Sequence, residues 1–448
     1  MTTTVDLRES ENQLRNRGVT FPPMKSHMKS FSPLLVVLFL SASGVVQAQT
    51  AESPDPLTRA RIVAAPKPTT EQQAPARINQ GSSQPSEQTP AVTKQAVKET
   101  KPAALADHPA SSRRLSPERL RTRIDEAERL MKTRPLPTAL TGPALDYVTL
   151  AAFMPESSQI HLIRIAKETF LTRGAEFPSI TSRGLPVQIQ ILRANGVNTA
   201  VTIFDDRNHS LLPLVVEFPI EKRGVFRETA YYTSAHPALL SGDLVKTGQG
   251  YVSTMVDLAA RRVRERGVPI AQNIIEIAKR LCIVEHVDHD RFRNENRIAL
   301  FEEIYSLYAL NELDTYRYSV SSAGAGGMVQ MIPWAYALMR QRHPGVGLNP
   351  DFVAGMRNHG NALEAMLLYM QDTWNDLLAS EDVQAAMTAR QATSIELMAA
   401  AYNSNAAKLP GYIRRGGAGW RTLIPRETQI YLQIYQSLDS LMPIKKRD

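Results

Sequence analysis

The sequence predicts an α+β protein in which a mainly α C-terminal domain follows a small β-containing domain. Between residues 184 and 240, apolar residues alternate with polar ones, which is the period of half-buried strands. The dipeptide Asn195-Gly196 is typical of a tight turn and separates two of the predicted strands. From about Tyr251 onward, apolar residues recur at three- and four-residue steps, as on the buried faces of helices. The predicted strands are PVQIQIL (186–192), TAVTIF (199–204) and LLPLVVEF (211–218).

The N-terminal segment predicts export. Lys25 and Lys29 precede an apolar run at 34–40. Small residues then surround an expected cleavage site after Ala48, which is the layout of a secretory signal peptide. The apolar run is too short to span a bilayer. Residues 1–48 therefore predict a secretory signal peptide, and the true start is expected at Met24 or Met28.

The remaining chain divides into three predicted parts. Residues 49–114 are rich in Pro, Ala, Gln, Thr and Ser and predict a disordered tether, because they bury too little surface to offset their ordering entropy. Residues 115–250 form an α+β domain of unknown role, which begins with a helix capped by Ser116. Residues 251–448 form a helical domain of single-domain size.

Charge and cysteine content narrow the function classes. The chain has a formal net charge of +8, which fits weak attraction to anionic polymers such as cell-wall glycans. Nucleic acid is the weaker candidate, because no basic patch has interleaved aromatic residues. The one cysteine, Cys282, cannot pair within the chain and lies among helically spaced apolar residues, so it is expected in the core.

Glu312 is the first candidate catalytic residue. It ends the apolar helical segment RIALFEEIYSLYALNEL, where the negative end of the helix dipole and apolar neighbours favour the protonated form of a carboxyl group. A small-residue turn and a lone amide, Gln330, follow in SSAGAGGMVQMIP (321–333). The expected buried face of the helix consists of Ile298, Phe301, Ile304, Leu307 and Leu310.

Two later segments complete a pattern, AAAYNSN (399–405) and IPRETQIY (424–431). In this order and spacing, the three segments resemble the soluble-lytic-transglycosylase domain family, which has a goose-type-lysozyme-like fold. The likeness covers roughly residues 271–440 and implies a lysozyme-like C-terminal catalytic domain. It departs from the family pattern at Leu313, Thr315 and 404–406, which affects the substrate subsites. By matching position, the resemblance implies Glu312 as the catalytic acid and, as substrate-binding residues, Ser321, Met328, Gln330, Tyr402, Asn403 and Glu427.

The resemblance implies a peptidoglycan lytic transglycosylase. Such an enzyme cleaves the β-1,4 bond between N-acetylmuramic acid and N-acetylglucosamine and leaves 1,6-anhydro-N-acetylmuramic acid ends. One acid suffices, because the N-acetyl group of the substrate supplies the second group that other glycosidases take from a carboxylate. No cofactor or metal is expected: EHVDHD (285–290) could ligate a metal, but it lies between two predicted helices, where such residues commonly cap.

Two other functions remain open at this point, a hydrolytic muramidase of the same fold and a catalytically silent glycan-binding scaffold. The expected partners are peptidoglycan glycan strands and an envelope protein bound through residues 115–250, with no nucleic acid and no stable membrane insertion after signal cleavage. The expected location is the periplasm or cell envelope. The sequence does not set the physiological role, which could be wall turnover, machine assembly or invasion.

Overall fold

The computed structural model describes residues 115–134 and 145–444. These residues form an α+β fold with a curled antiparallel sheet, which confirms the predicted fold class at that level. The predicted signal peptide (1–48) and tether (49–114) lie outside the described residues. Among the described residues, no helix is long and apolar enough to cross a membrane.

The first described helix, α1, spans Pro117–Thr133 and begins as predicted. The Ser116 side chain accepts a hydrogen bond from the backbone N–H of Arg119, and Pro117 occupies the first helical position, where its missing N–H costs nothing. One face of α1 is buried against the sheet and consists of Leu120, Ile124, Ala127 and Met131.

Seven strands form the sheet, in the order β2-β1-β6-β5-β4-β3, with β7 also paired to β6. The predicted hairpin between β4 and β5 is confirmed, and Gly196 in its turn has a φ of 54°. The β1–β2 hairpin was not predicted, because the centre of β1 is buried on both faces and lacks the alternation of a half-buried strand. The strands are β1 Tyr147–Met154, β2 Gln159–Ala166, β3 Glu176–Ile180, β4 Pro186–Arg193, β5 Ala200–Asp205, β6 Ser210–Lys222 and β7 Val225–Tyr232.

The region after the sheet is helical, as predicted. The expected domain boundary at 250/251 falls inside helix α3 (Gly242–Glu265), so this helix belongs to both predicted domains. A short helix, α2 (Lys167–Phe170), lies within the sheet region. The later helices are α3 Gly242–Glu265, α4 Gln272–Val284, α5 His289–Asn294, α6 Arg297–Asn311, α7 Pro333–Arg342, α8 Phe352–Arg357, α9 His359–Leu378, α10 Glu381–Thr388, α11 Ser394–Asn403, α12 Leu409–Gly416 and α13 Arg426–Leu441.

Helix α6 connects the helical region to the sheet. Tyr305 and Tyr308 belong to the helical core, Leu307 belongs to the core under the sheet, and Leu310 packs in the cluster beneath α1. A helix that is apolar on nearly all sides is a buried helix. Ile298 is the exception to the predicted buried face, because its position in the first turn leaves it exposed. Helix α6 thus packs against both the helical region and the sheet region.

Helices α3 and α6 approach closely at Gly248. An added Cβ at this position would lie 1.8 Å from the backbone oxygen of Tyr305, so any side chain would force the helices apart. Cys282 on α4 is fully buried in the same helical core, as predicted. The absence of a side chain at Gly248 therefore allows the close packing of α3 and α6.

Candidate active site

A cavity of about 830 Å³ lies where the sheet meets the helical region. This volume is in the range of small-molecule binding pockets. The end of β4 and the β4–β5 turn contribute one part of its lining, and the residues after α4 contribute another. Ser319 and Gln330 from the small-residue segment also line it. Gln330 is the one predicted site residue among the lining residues, which do not include Glu312.

Glu285, the residue that ends α4, also lines this cavity. Its side chain is partly buried, and Oε1 accepts a hydrogen bond from the hydroxyl of Tyr431. Burial raises the pKa of Glu285 to about 8, with a further contribution from the charge of Glu427, although the hydrogen bond from Tyr431 lowers it. Glu285 is therefore a carboxylic acid that keeps its proton at neutral pH and faces a cavity.

His286 holds the loop after α4 in place. Its ring stacks on Tyr316 with centroids 3.3 Å apart, and Nε2 lies 3.0 Å from the backbone oxygen of Met328. Burial lowers the pKa of His286 to about 3, so the neutral ring donates its Nε2 proton to that oxygen. The contact joins the loop carrying Glu285 to the segment carrying Gln330.

Glu312 lies at the end of α6, as predicted, but in different surroundings. Its Oε1 is 3.1 Å from Nη2 of Arg121, and its side chain is 31% exposed. Arg121 also donates hydrogen bonds to the backbone oxygens of Ala309 and Leu310, so it caps the C-terminus of α6 and attaches α1 to it. The sequence predicts apolar neighbours for this carboxyl group, whereas the structure places a guanidinium beside it. The φ of Glu312 is 47°, an uncommon conformation for a residue other than glycine.

Gln330, predicted to bind substrate, lines the cavity. It has left-handed backbone angles, and its Nε2 donates to the hydroxyl of Ser319 and to the backbone oxygen of Gly327. Its amide oxygen accepts no hydrogen bond from another described residue, so it is available to a hydroxyl or N–H group of a ligand. A strained backbone at a cavity is a common feature of functional sites.

The small-residue turn serves packing rather than access. The φ of Gly327 is 68°, and an added Cβ would lie 2.3 Å from the backbone oxygen of Met356 in α8. Gly327 is itself buried, so it offers no surface to a ligand. Its missing side chain lets α8 pack against the turn.

Two other predicted contacts differ from the structure. Met328 was predicted to bind substrate, but it has an exposed fraction of 0% and lies in the helical core, so it has no surface available to a substrate. Ser321 is exposed, and its hydroxyl accepts a hydrogen bond from the backbone N–H of Ala325, as expected for a turn residue. Ser319, two residues earlier, is the serine that lines the cavity.

The remaining predicted site residues, Tyr402, Asn403 and Glu427, lie on α11 and α13. The hydroxyl of Tyr402 donates to the backbone oxygen of Val329, next to Gln330. The side-chain oxygen of Asn403 accepts a hydrogen bond from Thr428. Glu427 is exposed in the first turn of α13 and contributes to the raised pKa of Glu285.

Glu285 was not predicted as a site residue. The sequence contains a signal for it, since an apolar helix ends there just as another ends at Glu312. Its tertiary partner, Tyr431, is 146 residues away and is not visible in a local pattern. Among the described residues, no group of three or more His, Cys, Asp or Glu side chains could hold a metal ion, including those at 285–290.

A comparison of the chain with protein-family models, with curated proteins and with solved structures finds no match. The resemblance of residues 312–333, 399–405 and 424–431 to the transglycosylase domain therefore rests on those residues alone. The contacts among them provide a separate reason to consider them together.

Proposed function

We propose that the protein is a peptidoglycan lytic transglycosylase whose helical region is a lysozyme-like catalytic domain. The observation that carries this proposal is that the last segment of the resemblance bonds a cavity-lining acid, Glu285, whose charge contributes, after burial, to the raised pKa of Tyr402 in the second segment. The segment 424–431 contacts Glu285 through Tyr431, and the segment 399–405 contacts Val329 through Tyr402. Gln330 lines the same cavity as Glu285.

We assign the role of general acid to Glu285. A general acid must hold a proton near the working pH and reach the leaving oxygen in a bound substrate. Burial gives Glu285 a pKa of about 8, and its position in the cavity gives it access to a ligand. Glu312 has a guanidinium at 3.1 Å and is not among the residues lining that cavity. The catalytic role that the sequence predicts for Glu312 stays a prediction, and the geometry favours Glu285.

The reaction needs one protein acid. Glu285 gives its proton to the glycosidic oxygen as the bond from that oxygen to C1 of N-acetylmuramic acid breaks, which releases the 4-hydroxyl of N-acetylglucosamine. The N-acetyl group of the same muramic acid stabilises the positive charge at C1, as in other substrate-assisted glycosidases. The 6-hydroxyl then attacks C1 and gives its proton to the Glu285 carboxylate. The acid is restored, and the product carries a 1,6-anhydro ring.

Neighbouring side chains support these steps. Tyr431 stabilises the carboxylate that forms after proton transfer, because its hydroxyl already donates to Oε1. The free amide oxygen of Gln330 can accept a hydrogen bond from the N-acetyl N–H or from a sugar hydroxyl. Tyr402 holds the backbone next to Gln330 and is a positioning residue.

The proposed site of action is the periplasm or cell envelope, after removal of the predicted signal peptide at 1–48. Purified sacculi digested with the mature protein test the reaction, with the released muropeptides identified by mass. The expected products carry 1,6-anhydro-N-acetylmuramic acid, lighter than hydrolysis products by one water. Reducing ends alone would instead indicate a hydrolytic muramidase. Absence of release from every wall preparation would indicate a glycan-binding scaffold.

A further inference from the structure

Part of the cavity lies outside the region that resembles the transglycosylase domain. We use the name sheet-side pocket for the part formed by Arg173, Arg193 and the turn residues 194–198. These residues come from the end of β4, the turn that follows it and the segment before β3. The sheet-side pocket therefore brings side chains of the β-containing region into the same cavity as Glu285.

Arg193 has an unused edge. Its Nη1 pairs with Oε1 of Glu303, whereas Nε and Nη2 are enclosed and have no hydrogen-bond partner among the described residues. Enclosed N–H groups without a partner are rare in folded proteins, because such groups lose their hydrogen bonds to water. Nε and Nη2 lie along one side of the planar guanidinium, and this arrangement matches the two oxygens of a carboxylate.

Glu303, the acid that pairs with Arg193, also pairs with a second arginine. Glu303 also binds Arg291, whose two Nη atoms lie 3.0 and 2.9 Å from its oxygens. Burial raises the pKa of Glu303, but the hydrogen bonds from Arg291 and the charge of Arg193 outweigh it and leave that pKa below its usual range. Glu303 therefore stays ionised and is shared by the two guanidiniums, and Arg291 has a second carboxylate partner in Glu295, 2.8 Å from its Nη2.

The other charges of the lining also matter for an anion. Arg173 is exposed and has no ion-pair partner among the described residues. Asp288 and Asp290 line the cavity as well, but Asp288 accepts backbone hydrogen bonds at the start of α5, and Asp290 pairs with Arg293. Glu285 is uncharged at neutral pH. The guanidinium of Arg173 thus supplies positive charge at the sheet-side pocket that no carboxylate of the described residues pairs.

We propose that the sheet-side pocket binds a carboxylate of the peptide attached to the glycan strand, through the Nε and Nη2 edge of Arg193. The identity of this ligand rests on the proposed function, because the sugars of the strand carry neutral N-acetyl groups and the attached peptides carry free carboxylates. Arg193 is 20% exposed and lines the cavity, while the two nitrogens are covered. Binding therefore requires the guanidinium to turn toward the cavity.

The test measures affinity by isothermal titration calorimetry with a soluble disaccharide–tetrapeptide. The same compound with its peptide carboxylates amidated is the comparison ligand. The wild-type protein is expected to bind the free carboxylate form at least ~10-fold more tightly, the size expected for a charge-assisted bidentate contact. Arg193→Lys keeps the charge but loses the paired donors, so this preference is expected to fall several-fold. Arg207→Lys, an exposed position in the turn after β5, is the control and keeps the full preference.

Equal affinity of the wild-type protein for the two ligands, or no binding of either, would overturn the proposal. An unchanged preference in Arg193→Lys would also overturn it. If Arg193→Lys does not fold, the comparison of the two ligands on the wild-type protein still decides. Anhydro products without carboxylate preference would refute the sheet-side pocket and leave the proposed function intact. Carboxylate preference without anhydro products would refute the proposed function and leave the sheet-side pocket intact.

Discussion

The hydroxyl of Tyr431 on α13 donates a hydrogen bond to the carboxyl group of Glu285 at the end of α4. Tyr431 is the last residue of the segment 424–431, which resembles part of the transglycosylase domain. Glu285 is a cavity-lining acid whose pKa is raised to about 8 by burial. The contact connects the segment that resembles the transglycosylase domain to an acid suited to proton transfer. Tyr431→Phe removes only the hydroxyl oxygen that makes this contact.

Removal of the Tyr431 hydroxyl is expected to alter the pH dependence of activity. Because this hydrogen bond lowers the pKa of Glu285, Tyr431→Phe should move the basic limb of the pH–rate profile to higher pH. The maximal rate should fall by about tenfold, since the carboxylate formed after proton transfer loses a charge-assisted hydrogen bond. Rates measured between pH 5 and 10 check both effects. Tyr435→Phe, one turn later on α13, is the control; the same limb in wild type and Tyr431→Phe would refute the link.

The stability of the protein should depend on the ionisation of Glu285. Its folded-state pKa of about 8 lies above the ordinary value of 4.5, so its contribution to stability is complete below about pH 4.5 and is lost as pH rises through about 8. Glu285→Gln is neutral throughout. The melting temperature of this variant relative to wild type should therefore rise between pH 5 and pH 9, by an amount equivalent to on the order of a few kcal/mol. A difference that is independent of pH would contradict the assigned pKa.

Two glycines of α3 should respond oppositely to alanine. Gly248→Ala places a methyl group where the backbone of Tyr305 lies, and the resulting separation of α3 from α6 should cost about 1–3 kcal/mol or more. Gly250→Ala meets no atom within 4 Å and should stabilise the helix by up to about 1 kcal/mol. Chemical denaturation of both variants measures the difference. Equal effects would contradict the close approach of α3 and α6 at Gly248.

Tyr402→Phe should affect stability and turnover together. The hydroxyl of Tyr402 is the donor to the backbone oxygen of Val329, and its removal leaves that oxygen without this partner, at a cost of about 1–3 kcal/mol. The adjacent Gln330 should lose its fixed position, which lowers turnover. Denaturation and muropeptide release, measured on the same preparation, check the two effects. Unchanged turnover in a destabilised variant would limit Tyr402 to a structural role.

Local patterns in the sequence were sufficient for several elements. The β4–β5 hairpin follows from alternating apolar residues around a glycine turn, and the cap at Ser116 follows from its position before a proline. The β1–β2 hairpin was missed, because a strand buried on both faces has no alternation to detect. The alternation that identifies a strand is present only where one of its faces meets solvent.

The candidate site depends on contacts that the local sequence does not contain. Glu285 and Glu312 both end apolar helices, so the same helix-dipole argument applies to either. They differ in their partners: a tyrosine hydroxyl from α13 for Glu285 and a guanidinium from α1 for Glu312. Similarly, Met328 fits a substrate contact by motif position, but its side chain is enclosed by the helical core.

The comparison of Glu285→Gln with Glu312→Gln tests the central claim most directly. Both changes preserve side-chain shape and remove a carboxyl group, and turnover is measured as release of anhydro-muropeptides from purified sacculi. The account predicts that Glu285→Gln loses at least ~10²-fold in turnover, as for a lost general acid. Glu312→Gln should keep most of its turnover and lose only the modest stability of a partly exposed ion pair, about 0–1 kcal/mol. Near-normal turnover in Glu285→Gln, together with an inactive but folded Glu312→Gln, would contradict the assignment and return the catalytic role to Glu312.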